Sequence, residues 1–181
     1  IMVIIVLSPY IVTQLATLSE RLINGDIIAT GTFDGNKVTG IEQAKGKSDG
    51  AVMLYDKNGQ IKWETLIGGS AADSFNAVTE ANDGSYVAVG VSQSNDGNLA
   101  NLNKGGKDGI IAKLDSNGTL IKVVTVGGSD ADELKAIQPA GDGGFIVAGY
   151  SHSTDLDMNG LNKIETDCDA IIVKIDQDLN I

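Results

Sequence analysis

Along most of this chain, short runs of apolar and β-branched residues alternate with polar stretches rich in Gly, Asp and Asn. GAVMLYD (50–56) and GIIAKLD (109–115) are two such runs, and they close on DKNG and DSNG. Asn-Gly between two apolar runs is the strongest short hairpin signal, and the type I′ turn it favours puts both central residues at positive φ. QIKWETLI (60–67) and TLIKVVTV (119–126) read as the strands that return from these turns, each ending at Gly-Gly-Ser. A third pair of strands, SFNAVTE and ELKAIQP, leads through NDGS and GDGG into a fourth, YVAVGVS and FIVAGYS. A long polar loop follows each fourth strand.

These segments are one unit written repeatedly. Asp56 matches Asp115 at an offset of 59, and the same offset pairs Gly68-Gly69-Ser70 with Gly127-Gly128-Ser129 and Asp73 with Asp132. It also pairs Gly90 with Gly149, Asp96 with Asp155, and Lys45 with Lys104. About a third of positions are identical over one full period without a gap, far beyond chance. Four short antiparallel strands at fixed spacing predict an all-β fold of propeller-type four-stranded blades. Counted in periods, the repeats cover about 1–48, 49–107 and 108–181, with a repeat domain over 24–181 and an apolar segment over 1–23. Three blades do not close a ring, since propellers use about four to eight. The expectation is therefore a partial propeller, or one completed by a second copy.

The residues GGSAADSFNAV…NDGSYVAVG and GGSDADELKAI…GDGGFIVAGYSHS, followed by KDGIIAKLDSNG, resemble a group of bacterial secreted Gly/Asp-rich propeller-type repeats. These are related to the "seven-bladed β-propeller" repeats of surface proteins. The resemblance covers roughly residues 24–181. It implies an extracellular or cell-surface module without enzymatic activity, and a family with no agreed ligand. The chain departs from the pattern at Pro9-Tyr10-Ile11, where Gly-Gly-Ser is missing, and at IETDCD (164–169), which stands where the preceding repeat has GGKDG.

Composition narrows the partners. The formal net charge is −11, which argues against nucleic acid, whose phosphates need clustered Lys and Arg. An acidic surface rich in Asp, Asn and Gly suits cations and extracellular solubility instead. A single cysteine, Cys168, excludes an intrachain disulfide, and a single histidine, His152, leaves no His/Cys zinc set. Cys168 is expected to be a buried or half-buried thiol.

The loop STDLDMNG (153–160) spells the first half of an EF-hand, with Asp155, Asp157 and Asn159 at alternate positions before Gly160. The bidentate Glu of a complete EF-hand falls on Thr166, so the EF-hand itself is excluded. Calcium remains a candidate cofactor for Asp155, Asp157 and Asn159, with Asp167 or Glu165 closing the site, and for Asp96 and Asn98 one period earlier. The competing reading is a solvated acidic turn that caps its own backbone. Asp73 and Asp132, recurring after Gly-Gly-Ser, are expected to bind backbone N–H groups. Ser70 and Ser129 have no base that recurs beside them, so hydrolase chemistry is not expected and no catalytic residue is assigned. Trp63, Tyr55, Tyr86 and Tyr150 could stack on a sugar, but they do not recur at equivalent positions, so core packing is expected for most of them.

The opening IMVIIVLSPYIVTQLATLSERL supports two expectations. As a strand, residues 1–8 would stand in the second-strand position and help close a blade. As an amphipathic helix over residues 1–22, the segment would act as a pilin-like assembly element in an extracellular filament, although Pro9 and the β-branched run oppose a helix. Self-association, as a homo-oligomer or filament, is thus the expected partnership, with a protein or glycan ligand as the further possibility.

Overall fold

The structure is a computed structural model and describes residues 18–34, 44–161 and 168–181. It is all-β, with eleven strands in three antiparallel sheets among the described residues. Sheet 1 contains β1 (Leu18–Arg21), β2 (Ile27–Phe33), β3 (Asp49–Tyr55) and β4 (Ile61–Ile67). Sheet 2 contains β5 (Asp73–Glu80), β6 (Tyr86–Ser92), β7 (Asp108–Leu114) and β8 (Leu120–Val126). Sheet 3 contains β9 (Asp132–Pro139), β10 (Phe145–Ser151) and β11 (Asp169–Ile175). In each sheet the strands lie in chain order as an up-and-down meander. The sheets therefore begin half a period after the units 49–107 and 108–181, at the strand that follows Gly-Gly-Ser.

The Asn-Gly hairpins form, but not through type I′ turns. Gly59 and Gly118 sit at φ +82° and +84°, whereas Asn58 and Asn117 do not enter positive φ. Asp56 supplies the reason. Its carboxylate accepts the N–H groups of Asn58 at 2.8 Å and Gln60 at 2.9 Å, which stabilises a turn with one left-handed glycine after it. Asp115 does the same with Asn117 and Thr119, and Asp176 with Asp178 and Asn180.

Alternation along the strands builds two apolar layers. Ile28, Val52, Leu54 and Ile67 of sheet 1 pack with Phe75, Val78, Tyr86, Ile110 and Leu114 of sheet 2. Val87, Val89, Ile111 and Val126 pack in the same way with Leu134, Ile137, Phe145, Val147 and Ile175 of sheet 3. β3 and β7 are buried along their whole length because each has a neighbouring strand on both edges and a sheet over a face. Gly90 and Gly149 lie where their strands meet a register shift against β5 and β9, and an added Cβ would run into the backbone of Ser74 or Glu133.

Of the N-terminal segment, residues 1–17 lie outside the described residues, and so do both readings made for them. The described end of the proposed helix, Leu18–Arg21, is a strand paired antiparallel with β2. No helix among the described residues is long and apolar enough to cross a membrane.

Candidate functional site

At one rim β4 ends, β5 begins, β6 ends and β7 begins, and the Gly-Gly-Ser turn lies among these ends. Its four consecutive backbone N–H groups have no strand partner. Side chains from elsewhere take all four. Gly68 N–H donates to Asn98 Oδ1 at 3.3 Å, Gly69 N–H to Asp73 Oδ2 at 2.9 Å, Ser70 N–H to Asp96 Oδ1 at 2.7 Å and Ala71 N–H to Ser94 Oγ at 3.0 Å. Asp73 also accepts the hydroxyls of Ser92 and Ser94, at 2.5 and 2.7 Å. Buried polar groups need such partners, and charge-assisted ones are the strongest.

The rim repeats one period later. Gly127 N–H donates to Asp157 Oδ2 at 3.1 Å, Gly128 N–H to Asp132 Oδ2 at 2.7 Å, Ser129 N–H to Asp155 Oδ1 at 2.8 Å and Asp130 N–H to Ser153 Oγ at 3.0 Å. Ser153 Oγ also donates to Asp132. The glycines are required by space. A Cβ on Gly68 would stand 2.5 Å from Asp49 Oδ1 and 2.7 Å from Asp73 Oδ2.

A lysine completes each clasp. Lys104 Nζ bridges Asp157 Oδ2 at 2.5 Å and Thr125 O at 2.7 Å, and Lys45 Nζ reaches Asn98 Oδ1 at the equivalent place. The main chains of the same lysines donate N–H to buried acids, Lys45 to Asp49 at 2.8 Å and Lys104 to Asp108 at 2.7 Å. Asp49 and Asp108 are 0% exposed, and the second oxygen of each has no hydrogen-bond partner. Burial, as the largest cause, pushes both carboxyls above the usual range, and the neighbouring Asp73 and Asp132 add to the rise. Asp96 moves the other way, held below the usual range chiefly by the Ser70 N–H.

The calcium candidates gather at these two turns. Asp155, Asp157, Asp96 and Asn98 hold turn N–H groups, and a lysine ammonium lies at Asp157 where the calcium reading puts a metal ion. Asn159 follows a short 3-10 turn (Leu156–Met158), and its N–H bonds Leu156 O. Asp167 and Glu165 lie outside the described residues. A calcium ion takes six to eight oxygens, and at Asp155 and Asp157 it would share them with Lys104 and two backbone donors. Among the described residues no group of three or more His, Cys, Asp and Glu side chains is placed to hold a metal ion.

The remaining candidates scatter. His152 packs edge-on against Tyr150 with ring centroids 6.0 Å apart. Tyr150 donates to Glu133 Oε2 at 2.6 Å, which is the main cause of its hydroxyl being pushed up to about 12. Tyr55 and Tyr86 are buried in the core, and Trp63 lies on Tyr86 with its Nε1–H donated to Ser116 O at 3.0 Å. Cys168 is exposed rather than buried, because it stands just before β11, whose own first residues Asp169 and Ala170 are exposed. The sequence reading passed over Ser92, Ser94, Ser153 and the two lysines. The signal for them was the period itself, which aligns Lys45 with Lys104, Ser92 with Ser151 and Ser94 with Ser153. Comparison with known proteins finds no matching family model and no matching curated protein.

Proposed function

We propose that the chain is a non-enzymatic, β-propeller-type repeat module of the cell exterior that acts as a scaffold and binds a protein or glycan partner. One observation carries this reading. The recurring Asp, Ser and Lys side chains, the groups able to do chemistry, are spent twice over in holding a four-N–H turn and joining one sheet to the next. A nucleophile needs a base within hydrogen-bond reach and access to its substrate; the serines that lie on Asp73 and Asp132 are buried, and those carboxylates also hold the Gly69 and Gly128 N–H groups. The propeller part of the reading rests on three meander sheets stacked in chain order through equivalent apolar faces.

A fluorophosphonate activity probe tests the absence of hydrolase chemistry directly. No labelling is expected; stoichiometric labelling of Ser70 or Ser129 overturns the reading. For the architecture, small-angle scattering of the purified chain separates sheets fanned about an axis from a straight stack. A straight stack removes the propeller and leaves the scaffold.

A further inference from the structure

Each clasp contains two acids that face one another across a junction between sheets. Asp49 opens β3 in sheet 1 and Asp73 opens β5 in sheet 2, while Asp108 opens β7 in sheet 2 and Asp132 opens β9 in sheet 3. The pairs lie beside main-chain bonds that join the sheets, Asp73 N–H to Ser48 O at 2.9 Å and Asp132 N–H to Lys107 O at 2.7 Å. The two carboxylates of a pair flank one glycine. A Cβ on Gly127 would stand 2.3 Å from Asp108 Oδ1 and 2.5 Å from Asp132 Oδ2. All four acids are at most 2% exposed, and Asp49 Oδ1, Asp108 Oδ1 and Asp132 Oδ1 accept no hydrogen bond. Buried acceptors without donors are costly, and a facing carboxylate adds repulsion to that cost.

We propose that each pair is a proton-binding site that ties one sheet to the next as the medium acidifies. Asp108 Oδ1 takes a proton from solvent and donates it to Asp132, so one hydrogen answers an unpartnered oxygen on each side. Asp49 and Asp73 act in the same way at the first junction. The point between the oxygens lies one bond length from the glycine Cα, so no ion can occupy it, whereas a proton carried on a carboxyl needs no such room. Asp49 and Asp108 already lie above the usual carboxyl range, chiefly through burial. Such a carboxyl contributes fully to stability below its unfolded value of about 3.9, and the contribution is lost as pH rises through the folded value.

The two sites are not equal. Asp73 has both oxygens engaged, by Gly69 N–H, Ser92 and Ser94, whereas Asp132 Oδ1 accepts nothing. The charged groups around the first pair are Lys45, the exposed Lys47 and Asp96. Around the second they are Lys104, the exposed Lys107, Asp155, Asp157 and the exposed Asp130. Ser92, Ser94, Ser151 and Ser153 complete the walls without charge. The second pair thus has two more carboxylates against the same number of lysines, and it holds its proton more tightly.

The test follows the aspartate carboxyl carbons of the whole chain by NMR from pH 4 to 8, in chelator, together with exchange of the Asp73 and Asp132 amides. Asp49 and Asp108 should both titrate above about 3.9, with Asp108 the higher. After correction for intrinsic rates, exchange at Asp132 should slow at least about tenfold on acidification through the Asp108 midpoint, the effect of one added bond to a charged group. Asp108→Asn should keep that exchange slow throughout, because its amide supplies the hydrogen, while exchange at Asp73 still responds to pH. Either carboxyl titrating at the ordinary value, exchange indifferent to pH, or an Asp49 midpoint above that of Asp108 overturns the inference. So does a midpoint that added calcium lowers by about a unit, which would put a metal ion at the pair.

Discussion

Replacing Asp108 with Asn should make the protein more stable, an unusual sign for a fully buried residue. Asp108 Oδ2 accepts the Lys104 N–H at 2.7 Å, while Oδ1 has no donor and faces Gly127 beside Asp132. In the Asp108→Asn variant the amide oxygen keeps the Lys104 bond, and the amide nitrogen puts a donor where Oδ1 now lies unsatisfied. An unsatisfied buried acceptor costs about 1–3 kcal/mol, and a nearby like charge adds to the cost. We expect a net gain of about 1–2 kcal/mol at pH 7, a rise of about 2–8 °C in melting temperature for a chain of this size. The sign with pH follows from the raised carboxyl of Asp108. Its folded form binds a proton more tightly than its unfolded form, so wild-type stability from this group is present below the unfolded value of about 3.9 and is lost as pH rises through the folded value. The advantage of the variant should therefore be full at neutral pH and fade on acidification. Thermal unfolding of both proteins from pH 4 to 8, read as a difference, cancels the opposite trends of the other carboxylates. A loss of about 3–5 kcal/mol at pH 7 would refute the argument, because that is the cost of stripping a charge from a buried partner.

Two further outcomes are expected. Leu156 holds φ +51° where the preceding period has Gly97 at φ +60°, and its side chain is 57% exposed. Leu156→Gly should stabilise by about 0.5–1 kcal/mol, the left-handed strain less the entropy of glycine, and chemical denaturation showing a loss would sink that account. Calcium and chelator should give melting temperatures within about 1 °C of each other, because Lys104 holds the Asp157 carboxylate. A binding ligand at a hundredfold excess over its dissociation constant adds about 2.7 kcal/mol, so a clear rise that Asp155→Asn abolishes would establish a calcium site there.

Strand positions were legible in the sequence because alternation and turn residues are local signals. The four strands around Asn58 and Gly68 fall where GAVMLYD, QIKWETLI, SFNAVTE and YVAVGVS put them. Where one sheet stops and the next begins was not legible, since a period of four strands reads the same from any starting strand. The break falls at Gly-Gly-Ser because side chains, rather than a neighbouring strand, satisfy the N–H groups of that turn. The candidate site was half legible. The D-x-D spacing in residues 155–157 correctly marks oxygens converging on a turn, but spacing cannot tell a metal ion from backbone N–H groups and an ammonium. Lys104, which holds the Asp157 carboxylate, stands 53 residues away from it and lies outside the reach of any local motif. The Asn-Gly turns were misjudged for a similar reason: the Asp56 carboxylate, two residues before Asn58, changes which residue needs positive φ.

The clasp also bears on how such a chain can grow. Lys45 reaches Asn98 across 53 residues, and Lys104 reaches Asp157 across the same distance. The longest side-chain hydrogen bond found among the described residues, from Lys113 to Gln177, spans only 64. Each of these partners lies within about one period. A duplication or deletion of 59 residues between the two clasps leaves a lysine in the place of Lys45 or Lys104 facing an oxygen in the place of Asn98 or Asp157. A change of one period in length then keeps the clasp without a second substitution to restore it.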